Sequence, residues 1–195
     1  MSESTAVIER REHDAKTAFG FWMYIMTDCV LFATLFAVFA VLRNNTFGGP
    51  SGRELFDMPY VLGETLFLLT SSFTCGLAML AVQRKDRPKV LFWLAVTFLF
   101  GTAFLVLELT EFRHLVIEGN GWRRSGFLSS YFTLVGTHGF HIIVGLLWMG
   151  VLMVKVRAGL TGALVRRLTL FSLFWHFLDV VWIFIFTIVY AIGVA

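Results

Sequence analysis

Five long apolar runs, separated by short polar and turn-forming connections, organise this sequence. They span about Phe19 to Leu42, Tyr60 to Val82, Val90 to Phe112, Phe127 to Val154 and Leu168 to Ile192. A helix of roughly 20 apolar residues crosses a bilayer, and each run is at least that long. The pattern therefore predicts an all-α polytopic membrane protein with five transmembrane helices in one domain, residues 19–195. The arm before it, residues 1–18, carries Glu9, Arg10, Arg11, Glu12, Asp14 and Lys16 and reads as a solvated tail or a surface helix. It lacks an apolar core, so no cleavable signal peptide is expected.

The connections carry their own signals. Gly48-Gly49-Pro50-Ser51-Gly52 marks a turn, and Arg84-Lys85-Asp86-Arg87-Pro88-Lys89 a tight basic one. Basic residues divide eleven to five between the two sets of connections, with the N-terminal arm on the richer side. The positive-inside rule then places the N-terminus in the cytoplasm and the C-terminus outside it. The three prolines fall at span boundaries and no internal repeat is visible, which argues against a moving transporter built from broken, repeated helices.

Composition supports the class. The chain has 195 residues, 57% of them hydrophobic and 15% charged, against about 25% charged in a soluble domain. The net charge of +3 sits in the connections, so it is no sign of nucleic-acid binding. Cys29 and Cys75 both lie inside spans and read as buried thiols.

Candidate chemistry lies in the polar residues that interrupt the spans. An Asp at the centre of a membrane helix costs about 2.5–3.5 kcal/mol, so Asp28 and Asp179 need partners inside the protein. In the fifth span Trp175, His176, Asp179 and Trp182 share a face that should look into a bundle, leaving Phe177, Ile183 and Ile185 for flanks and lipid. Counting residues along the spans puts Asp28, His138, His141 and Asp179 near mid-membrane, with His176 a turn away. Glu64, Glu108, Glu111 and Arg113 form a second polar layer nearer the outer surface. The plain reading of both layers is hydrogen bonding between helices. Asp28 is expected within reach of His138 or His141, directly or through one water. No complete ligand set for zinc or haem stands out, and no nucleophile with a base or phosphate loop, so no catalytic or metal site is expected. The alternative is a stand-alone membrane cytochrome or proton-conducting bundle working through the mid-membrane His/Asp layer.

Several segments carry a resemblance. Phe174-Trp175-His176-Phe177-Leu178-Asp179-Val180-Val181-Trp182 resembles the signature of subunit III of haem–copper terminal oxidases, and Gly136-Thr137-His138-Gly139-Phe140-His141 its histidine-bearing segment. The stretch from Gly20 to Phe32 and Glu108-Leu109-Thr110-Glu111-Phe112 are similar to further family segments. Five spans, Asp28 where the mitochondrial type has a reactive glutamate, and Arg124-Ser125-Gly126-Phe127 look like the bacterial, bo-type ubiquinol-oxidising branch. The resemblance implies a supporting subunit of a proton-pumping respiratory complex in the bacterial inner membrane. Its main partner would be subunit I, with subunits II and IV beside it. Haem b, haem o or a related haem, copper and ubiquinol would belong to subunit I, where oxygen is reduced to water. This chain would bind phospholipid and sustain turnover of the complex.

Overall fold

The computed structural model describes residues 3–50 and 52–194; Met1, Ser2, Ala195 and the Ser51 of the expected Gly-Pro turn lie outside them. All regular elements among the described residues are helical. They are α1 (Glu3–Leu42), the single turn α2 (Gly52–Leu55), α3 (Met58–Gln83), α4 (Arg87–Ile117), α5 (Gly126–Ala158) and α6 (Gly162–Ile185). A π-helical turn, Phe186–Ala191, continues α6 and leads into α7 (Ile192–Val194). Five of these stretches are long and apolar enough to cross a membrane: Ala15–Leu42, Met58–Gln83, Arg87–Ile117, Gly126–Ala158 and Gly162–Ala191.

The polar arm is helical and runs into the first apolar stretch without a break. No glycine or proline interrupts the chain before Gly20, and its Glu, Arg, Lys and Ala residues favour helix. Glu12 and Lys16 pair one turn apart at 3.8 Å on the exposed surface. The chain forms two compact units that divide within α1, Met1–Thr34 and Leu35–Ala195.

In the larger unit α3, α4, α5 and α6 make a closed ring, each helix packed on the next and α6 returning to α3. Short connections make neighbours antiparallel. The start of α3, the end of α4, the start of α5 and the end of α6 therefore gather at one end of the ring, the end that carries the α4–α5 loop. Local signals set the boundaries. Pro59 and Pro88 sit in the first turns of α3 and α4, where a missing N–H costs nothing. Ser125 and Thr161 cap α5 and α6 by accepting from Leu128 N and Leu164 N at 3.1 and 3.3 Å.

The basic turn between α3 and α4 shows how tightly the chain reverses. Lys85 N–H bonds Val82 O and Asp86 N–H bonds Ala81 O, the paired bonds of a Schellman stop. That geometry puts Lys85 in the left-handed region, at φ 55°. The corresponding stop after α4 uses Gly119, at φ 79°, with the same two bonds from Gly119 and Asn120. Asp86 then caps α4 through Lys89 N, and the Lys89 ammonium lies 2.7 Å from its carboxylate. The Lys89 side chain holds the Asp86 carboxyl below the usual carboxylate range. The cap is thus formed at neutral pH and lost as pH falls through that lowered value.

Candidate functional site

The polar residues of the ring are distributed along a seam between α3 and α6. Because the helices are antiparallel, partners run in opposite order along them. Trp182 donates its indole N–H to Thr65 Oγ1 at 3.1 Å. Trp175 donates to Ser71 Oγ at 2.8 Å. Next to that bond Ser72 Oγ lies 2.7 Å from His176 Nδ1, and Ser72 also hydrogen-bonds Asp179. Further along, Cys75 Sγ approaches Ser172 Oγ at 3.9 Å. Both indoles are buried, and so are Ser71, Ser72 and Thr65.

Glycines on the opposite helices admit the larger of these side chains. A Cβ on Gly101 of α4 would stand 2.8 Å from the Trp175 ring, and one on Gly145 of α5 would meet the same ring at 2.8 Å. Trp175 is thus wedged between α4 and α5 while its N–H is tied to α3. Trp182 lies edge-on to Phe104 with centroids 4.6 Å apart and covers the His138 ring at 5.3 Å.

His138 is fully buried against Phe104 and Trp182. His141, a turn further on, is half-buried, and its Nδ1 lies 2.7 Å from the Thr137 carbonyl of its own helix. The expected mid-membrane layer is thereby split. His176 and Asp179 work with Ser72 on the α3 side, while His138 faces the aromatic interior between α4 and α6. Asp28, in the first compact unit, is buried and hydrogen-bonded by Tyr24 from the preceding turn. Ile185, expected towards lipid, is instead wholly buried, whereas Ile183 is exposed. The helix is enclosed more completely at this end, where the π turn begins and Val189 and Tyr190 also enter the core.

The second polar group forms at the α4–α5 loop end. Glu64 of α3 and Glu108 of α4 are buried, and neither has a hydrogen-bond partner among the described residues. Glu64 stands close enough to Glu111 and Glu108 to feel their charge. Glu111 accepts from Tyr190 Oη at 3.0 Å, and Tyr190 lies 3.0 Å from Tyr131 Oη. The Glu108 carboxyl rests on Gly139, where a Cβ would come within 2.7 Å of Oε1. Arg113 is not part of this group. It lies five residues beyond Glu108 and two beyond Glu111, which turns it to another face, and it is exposed.

Sequence reading missed Thr65, Ser71, Ser72, Tyr131 and Tyr190. A usable signal existed in the short hydroxyl-bearing run Thr70-Ser71-Ser72 inside an apolar span, whose only route to satisfaction is a neighbouring helix or its own backbone. Among the described residues no group of three or more His, Cys, Asp and Glu side chains is placed to hold a metal ion. His176 Nδ1 is engaged by Ser72, and His138 is closed in by the Phe104 and Trp182 rings.

A family model described as cytochrome c oxidase subunit III matches residues 8–194. The chain belongs to the cytochrome c oxidase subunit III family. Within it, the chain is 56% identical over 184 residues to the cytochrome bo(3) ubiquinol oxidase subunit 3 of Pseudomonas aeruginosa, covering 93% of this chain and 88% of that one. It is 54% identical over 185 residues to the protein of that name from Pseudomonas putida, covering 93% and 89%. It is 46% identical over 175 residues to a cytochrome c oxidase subunit 3 from Bacillus sp. strain PS3, covering 89% and 84%. In this subunit III, α6 meets α4 and α5 where Gly101 and Gly145 face Trp175. Gly145→Ala should therefore lower the thermal stability of the purified protein by about 1–3 kcal/mol through overpacking against Trp175. Gly150→Ala, with open space around the added methyl, should leave it unchanged or slightly raised. Equal melting midpoints for both variants would contradict the wedge.

Proposed function

We propose that this chain is the third subunit of a bacterial haem–copper ubiquinol oxidase, and that its task there is structural. Three arguments support the reading. The relatives from both Pseudomonas species are named as ubiquinol oxidase subunits and align over nine-tenths of this chain. The histidines and aspartates inside the spans are engaged as hydrogen-bonding and packing groups. In the Ser72, His176 and Asp179 cluster the serine stands between the other two, which is not the order of a serine activated by an acid-oriented histidine.

On this reading the chain holds neither haem nor copper and has no catalytic residue. His176 and Asp179 tie α6 to α3 and Asp28, His138 and His141 are structural members of the mid-membrane layer, while Glu64, Glu108 and Glu111 form a polar group towards the periplasmic side. Subunit I is the main partner, with subunits II and IV in the same complex and phospholipid around it, in the inner membrane. Oxygen reduction and quinol oxidation take place in subunit I. The carrying observation is that the two Pseudomonas relatives, each aligned over 93% of this chain, are both named as ubiquinol oxidase subunits. Replacing His138, His141 or His176 singly by Ala should leave haem and copper content per subunit I unchanged, even where it weakens assembly. Stoichiometric loss of one haem in any of the three would refute the structural reading.

The orientation proposed is N-terminus in the cytoplasm and C-terminus in the periplasm, because the connections on the N-terminal side hold eleven of the sixteen basic residues. A C-terminal alkaline phosphatase fusion should be active. An inactive phosphatase paired with a fluorescent cytoplasmic reporter at the same position would reverse the topology.

A further inference from the structure

Two glutamates meet inside the ring with nothing to neutralise them. Glu64 of α3 and Glu108 of α4 are 0% and 1% exposed, and all four of their carboxyl oxygens are buried without a hydrogen-bond partner among the described residues. Glu111, the third acid of the group, differs on both counts. It is only half-buried, accepts from Tyr190 Oη at 3.0 Å and stands within hydrogen-bond reach of Tyr131. None of the three is ion-paired with a lysine, arginine or histidine among the described residues. The other titratable groups around them are engaged elsewhere. Tyr60 of α3 donates to Leu107 O at 3.0 Å, and His138 of α5 faces the Phe104 and Trp182 rings. Phe56, itself buried, closes this end of the ring by packing on Tyr131 and Tyr190, with centroids 5.0 and 4.7 Å away.

From this arrangement we infer that the group is a proton-binding site, in which Glu64 and Glu108 each hold a proton as neutral carboxylic acids. Glu64 lies close enough to Glu108 and Glu111 for their charges to act on it, and Glu108 is as close to Glu111. Three like charges in so small a space repel one another, and a carboxylate taken out of water without donors or a cation is costly. The phenol of Tyr190 favours the charged form of Glu111 alone, so the charge the group bears belongs there. A trapped water would donate to Glu64 or Glu108 without bringing a cation, and the proton count would stand. Removing either proton places a second anion beside Glu111 and pushes α3 away from α4. The helices are thus held together at this end by protons in the place of bases.

Infrared spectra of the full-length chain, solubilised with the complex it co-purifies with, test this at neutral pH. Wild type minus Glu64→Gln and wild type minus Glu108→Gln should each show the loss of one carboxylic-acid C=O stretch, which moves to lower frequency in D2O. Loss of carboxylate stretches in place of the acid band, in either variant, would overturn the site. An amide keeps the shape and the neutrality of a protonated carboxyl, so both variants should accumulate at the wild-type level. Failure of either to do so would also count against the proposal. Thermal melting against pH gives a second readout. The folded chain holds protons that the unfolded chain releases, so wild-type stability falls as pH rises. The double variant, Glu64→Gln with Glu108→Gln, should show a shallower fall; equal slopes would overturn the proposal.

Discussion

The Trp175 side chain is the contact on which the ring of four helices depends. Its indole passes between Gly101 and Gly145 and ends in a hydrogen bond to Ser71, so one residue of α6 touches α3, α4 and α5 at once. In a bilayer the lipid tails are as apolar as leucine, so burying more leucine between helices gains little. Association there relies on close packing and interhelical hydrogen bonds. Trp175 provides both, and the two glycines are what make its position available. Trp182 repeats the arrangement two turns further along, bonded to Thr65 and packed edge-on to Phe104.

Once those indoles are set, the remaining polar groups have limited options. Ser72 is brought opposite His176 and Asp179, and His138 is shut behind Trp182. At the α4–α5 loop end the π turn carries Tyr190 to Glu111 and Tyr131, while Glu108 settles against Gly139. Both carboxyl oxygens of Glu64 and of Glu108 stay buried at this end without hydrogen-bond partners among the described residues.

Much of the fold was legible in the sequence, because the period and length of apolar runs are governed by bilayer thickness. Five spans and the turn prolines follow from spacing alone. The continuation of α1 through the polar arm was less legible, since exposed charged residues suit a solvated tail and a helix equally well. The partners were harder still. That Ser71 and Ser72 would meet Trp175 and His176, and that Ile185 would be buried, depends on how α6 is rotated against α3. Helical periodicity names a face but not the residue opposite it. Arg113 illustrates the converse: similar depth suggested membership of the Glu64, Glu108 and Glu111 group, and helical rotation removed it.

A double-mutant cycle on Trp175→Phe and Ser71→Ala, read as resistance of the purified complex to dissociation in a denaturing detergent series, tests the wedge most directly. A coupling energy of about 0.6–1.7 kcal/mol is predicted, with the double mutant barely worse than the poorer single one. Strict additivity of the two losses would show that the indole and the serine hold the helices independently, and would contradict the account.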